Sequence, residues 1–130
     1  AIQLVEVNDR PMTLIYPGAI HGQAPKPGEK AVADRHFLAY NAVAEDDTVG
    51  IRIPDMDFCK NVIYKLGRPI VSTSANISGE PAPHKFADIP EEIKSAVDYI
   101  VEPRLEKGST GQASQIIKVE VDGGIKIIRE

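Results

Sequence analysis

Thr48-Val49-Gly50-Ile51-Arg52-Ile53-Pro54 decides the fold class. Apolar and other residues alternate along it, so Val49, Ile51 and Ile53 fall on one face of a strand and Gly50 and Arg52 on the other. Asp55 or Asp57 then stands where a helix cap belongs, and Phe58, Val62, Ile63 and Leu66 follow at helical spacing. Gly67 occupies the position where a left-handed residue closes a helix. Pro69-Ile70-Val71-Ser72 reads as a second strand. Strand, helix and strand joined by short connections predict an α/β sheet.

Upstream, Thr13-Leu14-Ile15-Tyr16 is a β-prone run held between Pro11 and Pro17. The stretch from Gly18 to Asp47 is irregular, with Pro25, Pro27, Gly22 and Gly28, and its length suits a lid or binding element. Phe37-Leu38-Ala39-Tyr40 within it is expected to form a short anchored turn or helix. Downstream, Glu80-Pro81-Ala82-Pro83 is a rigid loop, and Pro90 with two acids opens a helix running to Val97. Ile100-Val101 reads as a brief strand, and Gly108 to Gly111 as a flexible link. Gln115 to Val121 and Ile125 to Arg129 flank Asp122-Gly123-Gly124 as a hairpin.

The 130 residues suit one domain, 1–130, and hydrophobic residues at 42% and charged residues at 26% are ordinary for a globular chain. No apolar run approaches the length of a membrane span, and no signal-peptide pattern opens the chain. With Cys59 as its single cysteine the chain has no disulfide framework, and a cytoplasmic location is expected. Fifteen Lys and Arg against 19 Asp and Glu leave a net charge of −4, so nucleic-acid binding does not follow from charge. The start at Ala1 is met equally by a trimmed chain and by a missing N-terminal segment.

Three hydroxyls (Ser72, Thr73, Ser74) and the Asn76 amide crowd the segment Ser72-Thr73-Ser74-Ala75-Asn76-Ile77-Ser78-Gly79 at the end of an expected strand. Open α/β sheets bind ligands at such ends, and small side chains let an anion approach backbone N–H groups. A polar turn that caps the next element accounts for the same residues. Arg52 suits a carboxylate or phosphate held by two parallel hydrogen bonds, or else an exposed edge-strand position. Ser114 and Arg129 bracket the last hairpin and could both face a phosphate, though each is also an ordinary surface residue. His21, His36 and His84 lack metal-ligand spacing, and Cys59 sits among core positions. Neither a P-loop nor a GxGxxG occurs.

Several blocks together resemble the YrdC-type family. Arg10-Pro11-Met12-Thr13-Leu14-Ile15-Tyr16-Pro17 is similar to its "PxTxIxP" strand and Thr48 to Pro54 to its "VAVRxP" strand. Gly67 to Gly79 is similar to "xPLxxTSANxSG", Ser114-Gln115-Ile116-Ile117 to "STIxD", and Ile127-Ile128-Arg129 to the closing "xxxRxG". The resemblance implies a twisted, mixed, open α/β sheet of the YrdC/RibB-like type. It implies an L-threonylcarbamoyladenylate synthase, which makes threonylcarbamoyl-AMP and pyrophosphate from L-threonine, bicarbonate and ATP. A downstream tRNA threonylcarbamoyl-transfer machinery would use that product. ATP and its Mg2+ enter as substrate and counter-ion, with no tightly bound cofactor, no protein metal site and no catalytic nucleophile. The resemblance places Arg52, Ser72 and Ser114 at threonine, and Thr48, Ser74, Asn76 and Arg129 at ATP.

The family's "PTDTVYGL" strand and "KxR" motif have no counterpart in these residues. Ala82 stands where many members carry a hydroxyl, and Ala113-Ser114-Gln115 replaces "PST". The chain is therefore expected to be the C-terminal portion of such a domain, weakly active or inactive alone. The alternative is a non-catalytic, translation-associated module binding tRNA or double-stranded RNA, against which the acidic balance weighs.

Overall fold

The computed structural model describes residues 11–23, 26–28 and 38–130. Four strands form one open sheet in the order β2-β1-β3-β4: β1 Met12–Tyr16, β2 Val49–Ile51, β3 Gln115–Val119 and β4 Ile125–Arg129. β1 runs antiparallel to β2 and parallel to β3, and β3 runs antiparallel to β4. The sheet is mixed and open, as expected. The chain divides into two compact units, Ala1–Pro69 with Ser114–Glu130, which contains the sheet, and Ile70–Ala113.

Alternation along the strands sorts the sheet into two chemical faces. Met12 and Leu14 of β1 and Ile117 of β3 are the buried core, with Tyr16 packed against them. Leu14 pairs with Ile117, which brings the two most deeply buried of these side by side. The opposite face carries Thr13 and Ile15 of β1, Gly50 of β2 and Lys118 of β3.

The hairpin forms where its turn chemistry predicts. Gly123 adopts φ +87, and the Asp122 carboxylate accepts from the Gly124 amide at 2.9 Å. The β3–β4 register shifts between Ile116 and Ile117: Ile117 faces Ile127, but Ile116 faces Arg129. Ile128 is therefore an extra residue, a β-bulge that bends the strand and re-aims Arg129 beyond it.

Helix α1 spans Asp57–Leu66 and ends at Gly67, whose φ of +70 is the left-handed cap expected there. Its N-cap is Met56, with no side-chain cap, so neither proposed aspartate caps it. Asp55 instead binds Lys60 Nζ at 2.8 Å, and Asp57 lies inside the first turn. A second helix, α2, spans Glu91–Ala96 with Pro90 as its N-cap, as its sequence predicts.

Three strand expectations fail. β2 stops at Ile51, leaving Arg52 and Ile53 beyond the ladder. Pro54 and Pro11 lie at this end of the β1–β2 pair, and neither has an N–H to donate. Pro69–Ser72 and Ile100–Val101 form no strand. A strand needs a partner to take up its N–H and C=O groups, and neither run pairs with one; Val71 is 80% exposed.

The unit Ile70–Ala113 is tied by polar staples. The Phe86 amide donates to the Glu106 carboxylate at 2.6 Å, and His84 Nδ1 donates to the Gly111 carbonyl at 2.7 Å. Lys94 lies 4.9 Å from the centre of the Phe86 ring, a cation–π arrangement. In the expected 18–47 loop, His21 and Leu38 form an isolated parallel bridge, and Tyr40–Ala42 form a 3-10 turn. Phe37 and the remainder of that loop lie outside the described residues.

Candidate functional site

Two polar clusters stand on the sheet-bearing unit. The first joins three strands' worth of sequence. Ser114, just ahead of β3, shares a hydroxyl–hydroxyl bond of 2.8 Å with Thr13 of β1. Arg129 of β4 donates from Nε to the Ser114 carbonyl at 2.9 Å, donates to the same oxygen from Nη2, and reaches the Ser114 hydroxyl at 3.3 Å. The bulge at Ile128 makes this possible, because simple alternation would have sent Arg129 to the side of Ile125 and Ile127. One edge of the guanidinium is thus held by backbone, and Nη1 is the nitrogen left for a ligand. A guanidinium fixed in this way offers charge at a set position with little entropy left to lose.

The second cluster centres on Asp46. Its Oδ1 accepts from the Thr48 hydroxyl at 2.6 Å and from the Thr48 amide at 3.3 Å, and its Oδ2 accepts from Lys118 at 2.9 Å. The Thr48 and Lys118 donors hold the Asp46 carboxyl down to about 2. Asp46 in turn raises Lys118. Lys118 lies directly opposite Lys126 in the β3–β4 ladder, a like-charge pair that costs stability, and Asp46 offsets it. Thr48 is buried, and its proton is committed to the carboxylate while its oxygen can still accept.

The remaining residues singled out from sequence sit apart from these clusters. Arg52 follows directly on β2, is exposed, and bonds to no described residue. Ser72 and Ser74 are exposed, and their hydroxyls likewise bond to no described residue. Asn76 is more structured: its amide nitrogen donates to the carbonyls of Ile77 and Glu80, at 3.0 Å each, and so folds the turn that ends at Gly79. Its Oδ1 is buried without a partner among the described residues. Such an acceptor normally finds a donor, so this oxygen is the most exacting feature of the Ser72–Gly79 segment.

The structure therefore brings Ser114 and Arg129 together, gives Thr48 a partner, and holds Asn76 in its own turn within Ile70–Ala113. Sequence reasoning missed Thr13, Asp46 and Lys118 as members of these clusters. Asp46-x-Thr48 before a strand has the form of an Asx-turn and could have been noticed. Thr13 is the polar residue of an otherwise apolar β1, and Lys118 breaks an aliphatic run in β3. Cys59 donates to Met56 Sδ at 3.7 Å and packs locally. Among the described residues there is no group of three or more His, Cys, Asp or Glu that could hold a metal, and no helix long and apolar enough to cross a membrane.

Comparison with known proteins adds an independent line. A threonylcarbamoyl-AMP synthase of Bacillus subtilis is 36% identical over 65 residues, which is 50% of this chain and 19% of that protein. One from Pseudoalteromonas translucida is 31% identical over 70 residues, 54% of this chain and 36% of its own. A Methanocaldococcus jannaschii protein, provisionally assigned the same name, is 35% identical over 85 residues, 65% of this chain and 39% of its own. The chain thus spans less than two fifths of each of these relatives. No solved structure matches it significantly. The profile of the Sua5/YciO/YrdC family, described as "telomere recombination", matches residues 7–130, nearly the whole chain, and the chain belongs to that family.

Proposed function

We propose that this chain is part of an L-threonylcarbamoyladenylate synthase. The observation that carries the proposal is the family match over residues 7–130 together with relatives named threonylcarbamoyl-AMP synthase. The hydroxyl and guanidinium cluster of Thr13, Ser114 and Arg129 supports it, since carboxylates and phosphates are held by such donors. Because the chain spans less than two fifths of these relatives, the activity is proposed for the whole protein, and the 130 residues alone are expected to support little or no turnover.

In this account the threonine amine captures bicarbonate, losing water, to give the carbamate. A carbamate oxygen then attacks the α-phosphorus of ATP, the bond to the β-phosphate breaks, and pyrophosphate leaves. Mg2+ arrives on the nucleotide and neutralises charge on the departing pyrophosphate. No protein nucleophile is needed; positioning and charge stabilisation supply the rate. The family resemblance assigns Arg52, Ser72 and Ser114 to threonine, with Arg52 on its carboxylate. The same resemblance assigns Thr48, Ser74, Asn76 and Arg129 to ATP, and Thr48 would accept from a nucleotide donor because its own proton faces Asp46. The product passes in the cytoplasm to the tRNA threonylcarbamoyl-transfer machinery.

The test is product identification. The complete protein, given ATP, Mg2+, L-threonine and labelled bicarbonate, is expected to form labelled threonylcarbamoyl-AMP, detected by mass spectrometry. Omission of threonine should abolish the product. ATP consumption with no threonine-dependent adduct would overturn the proposal.

A further inference from the structure

We infer that Thr13 is a positioning residue for the threonine subsite, acting through Ser114; this rests on the synthase reading above. Thr13 projects from the polar face of β1, and its hydroxyl lies 2.8 Å from that of Ser114, a residue 101 positions away. Arg129 Nη2 also reaches the same Ser114 oxygen, at 3.3 Å. A guanidinium can only donate, so the Ser114 oxygen serves Arg129 as an acceptor. That polarises the Ser114 hydroxyl and favours donation of its own proton onward.

Either hydroxyl of the Thr13–Ser114 pair can be the donor. Without substrate, Ser114 gives its proton to Thr13. When a carboxylate arrives, Ser114 turns its proton to the substrate, and Thr13 then donates to Ser114. Thr13 keeps the Ser114 oxygen fully partnered in both states, so the cost of reorienting the hydroxyl stays small. A valine cannot do this. It has the same shape as threonine but no hydroxyl, and Ser114 would be left to rotate on Arg129 alone.

The experiment compares Thr13→Val and Thr13→Ser with the unsubstituted complete protein in ATP–pyrophosphate exchange at varied threonine. Valine suits a strand, and thermal unfolding checks that the variant folds. One hydrogen bond of ordinary strength corresponds to about a 3- to 10-fold rise in threonine KM, with the KM for ATP unchanged. Thr13→Ser restores the threonine KM. An unchanged threonine KM in Thr13→Val, or equal rises for threonine and ATP, overturns the role of Thr13 and leaves the synthase reading intact. Absence of threonine-dependent exchange in the unsubstituted protein overturns both.

Discussion

Arg129 binds Ser114 because β4 carries one residue more than the strand it pairs with. Ile117 faces Ile127 while Ile116 faces Arg129, and the surplus residue, Ile128, turns the arginine onto the polar side of the sheet. There its Nε meets the Ser114 carbonyl at 2.9 Å. A backbone irregularity thus decides which face of the sheet carries a fixed positive charge.

Replacement of Arg129 tests that placement. Arg129→Lys keeps the charge but loses the two-pronged donation, and Arg129→Leu loses both. Each should cost about 1 kcal/mol in urea denaturation, less than is usual for charged hydrogen bonds because the side chain is exposed. A stabilised Arg129→Leu would mean that the residue belongs with Ile125 and Ile127 instead.

Asp46 predicts an acid-side change. Its carboxyl is held at about 2 by Thr48 and Lys118, below the ordinary value of 3.8 that the unfolded chain keeps. The unfolded state therefore binds the proton first. The stabilisation is fully present above about pH 4 and is lost as pH falls towards 2. Asp46→Asn removes the titration while keeping an acceptor for Thr48. Its stability should lie below that of the unsubstituted protein at neutral pH, and the two curves should converge on acidification through that window. Parallel curves would show that Asp46 is not the group responsible.

Gly50 predicts opposite signs for stability and binding. It lies on the polar face of β2, where a Cβ would sit 3.5 Å from the Thr13 γ-methyl, an ordinary contact. The Cβ therefore fits, and the strand preference of Gly50→Val should raise stability by up to about 1 kcal/mol. The same side chain would cover Thr13 and the approach to Ser114, so threonine KM should rise. A thermal melt and a threonine titration measure the two effects; an unchanged KM would show that substrate does not use this face.

The parts of the fold that local alternation and turn chemistry define were legible in the sequence. β1, β3, β4 and α1 formed where their apolar spacing and the Gly67 and Gly123 turns placed them. Pro69–Ser72 has the composition of a strand but pairs with none, and composition says nothing about pairing. The candidate site divided in the same way. Ser114 and Arg129 were found from their positions around the hairpin, but their contact depends on the Ile128 bulge, and no single-strand pattern announces one. Thr13 and Lys118 stayed hidden because their partners lie 101 and 72 residues away.

Threonine- and bicarbonate-dependent exchange of labelled pyrophosphate into ATP tests the central claim most directly. Reversible attack of the carbamate on ATP predicts that label enters ATP only when both co-substrates are present, in the protein encoded by the complete reading frame. It also predicts that Arg52→Ala abolishes the threonine-dependent exchange, if the proposed contact of Arg52 with the threonine carboxylate holds. Exchange that proceeds equally well without threonine, or not at all with every substrate supplied, would contradict the account.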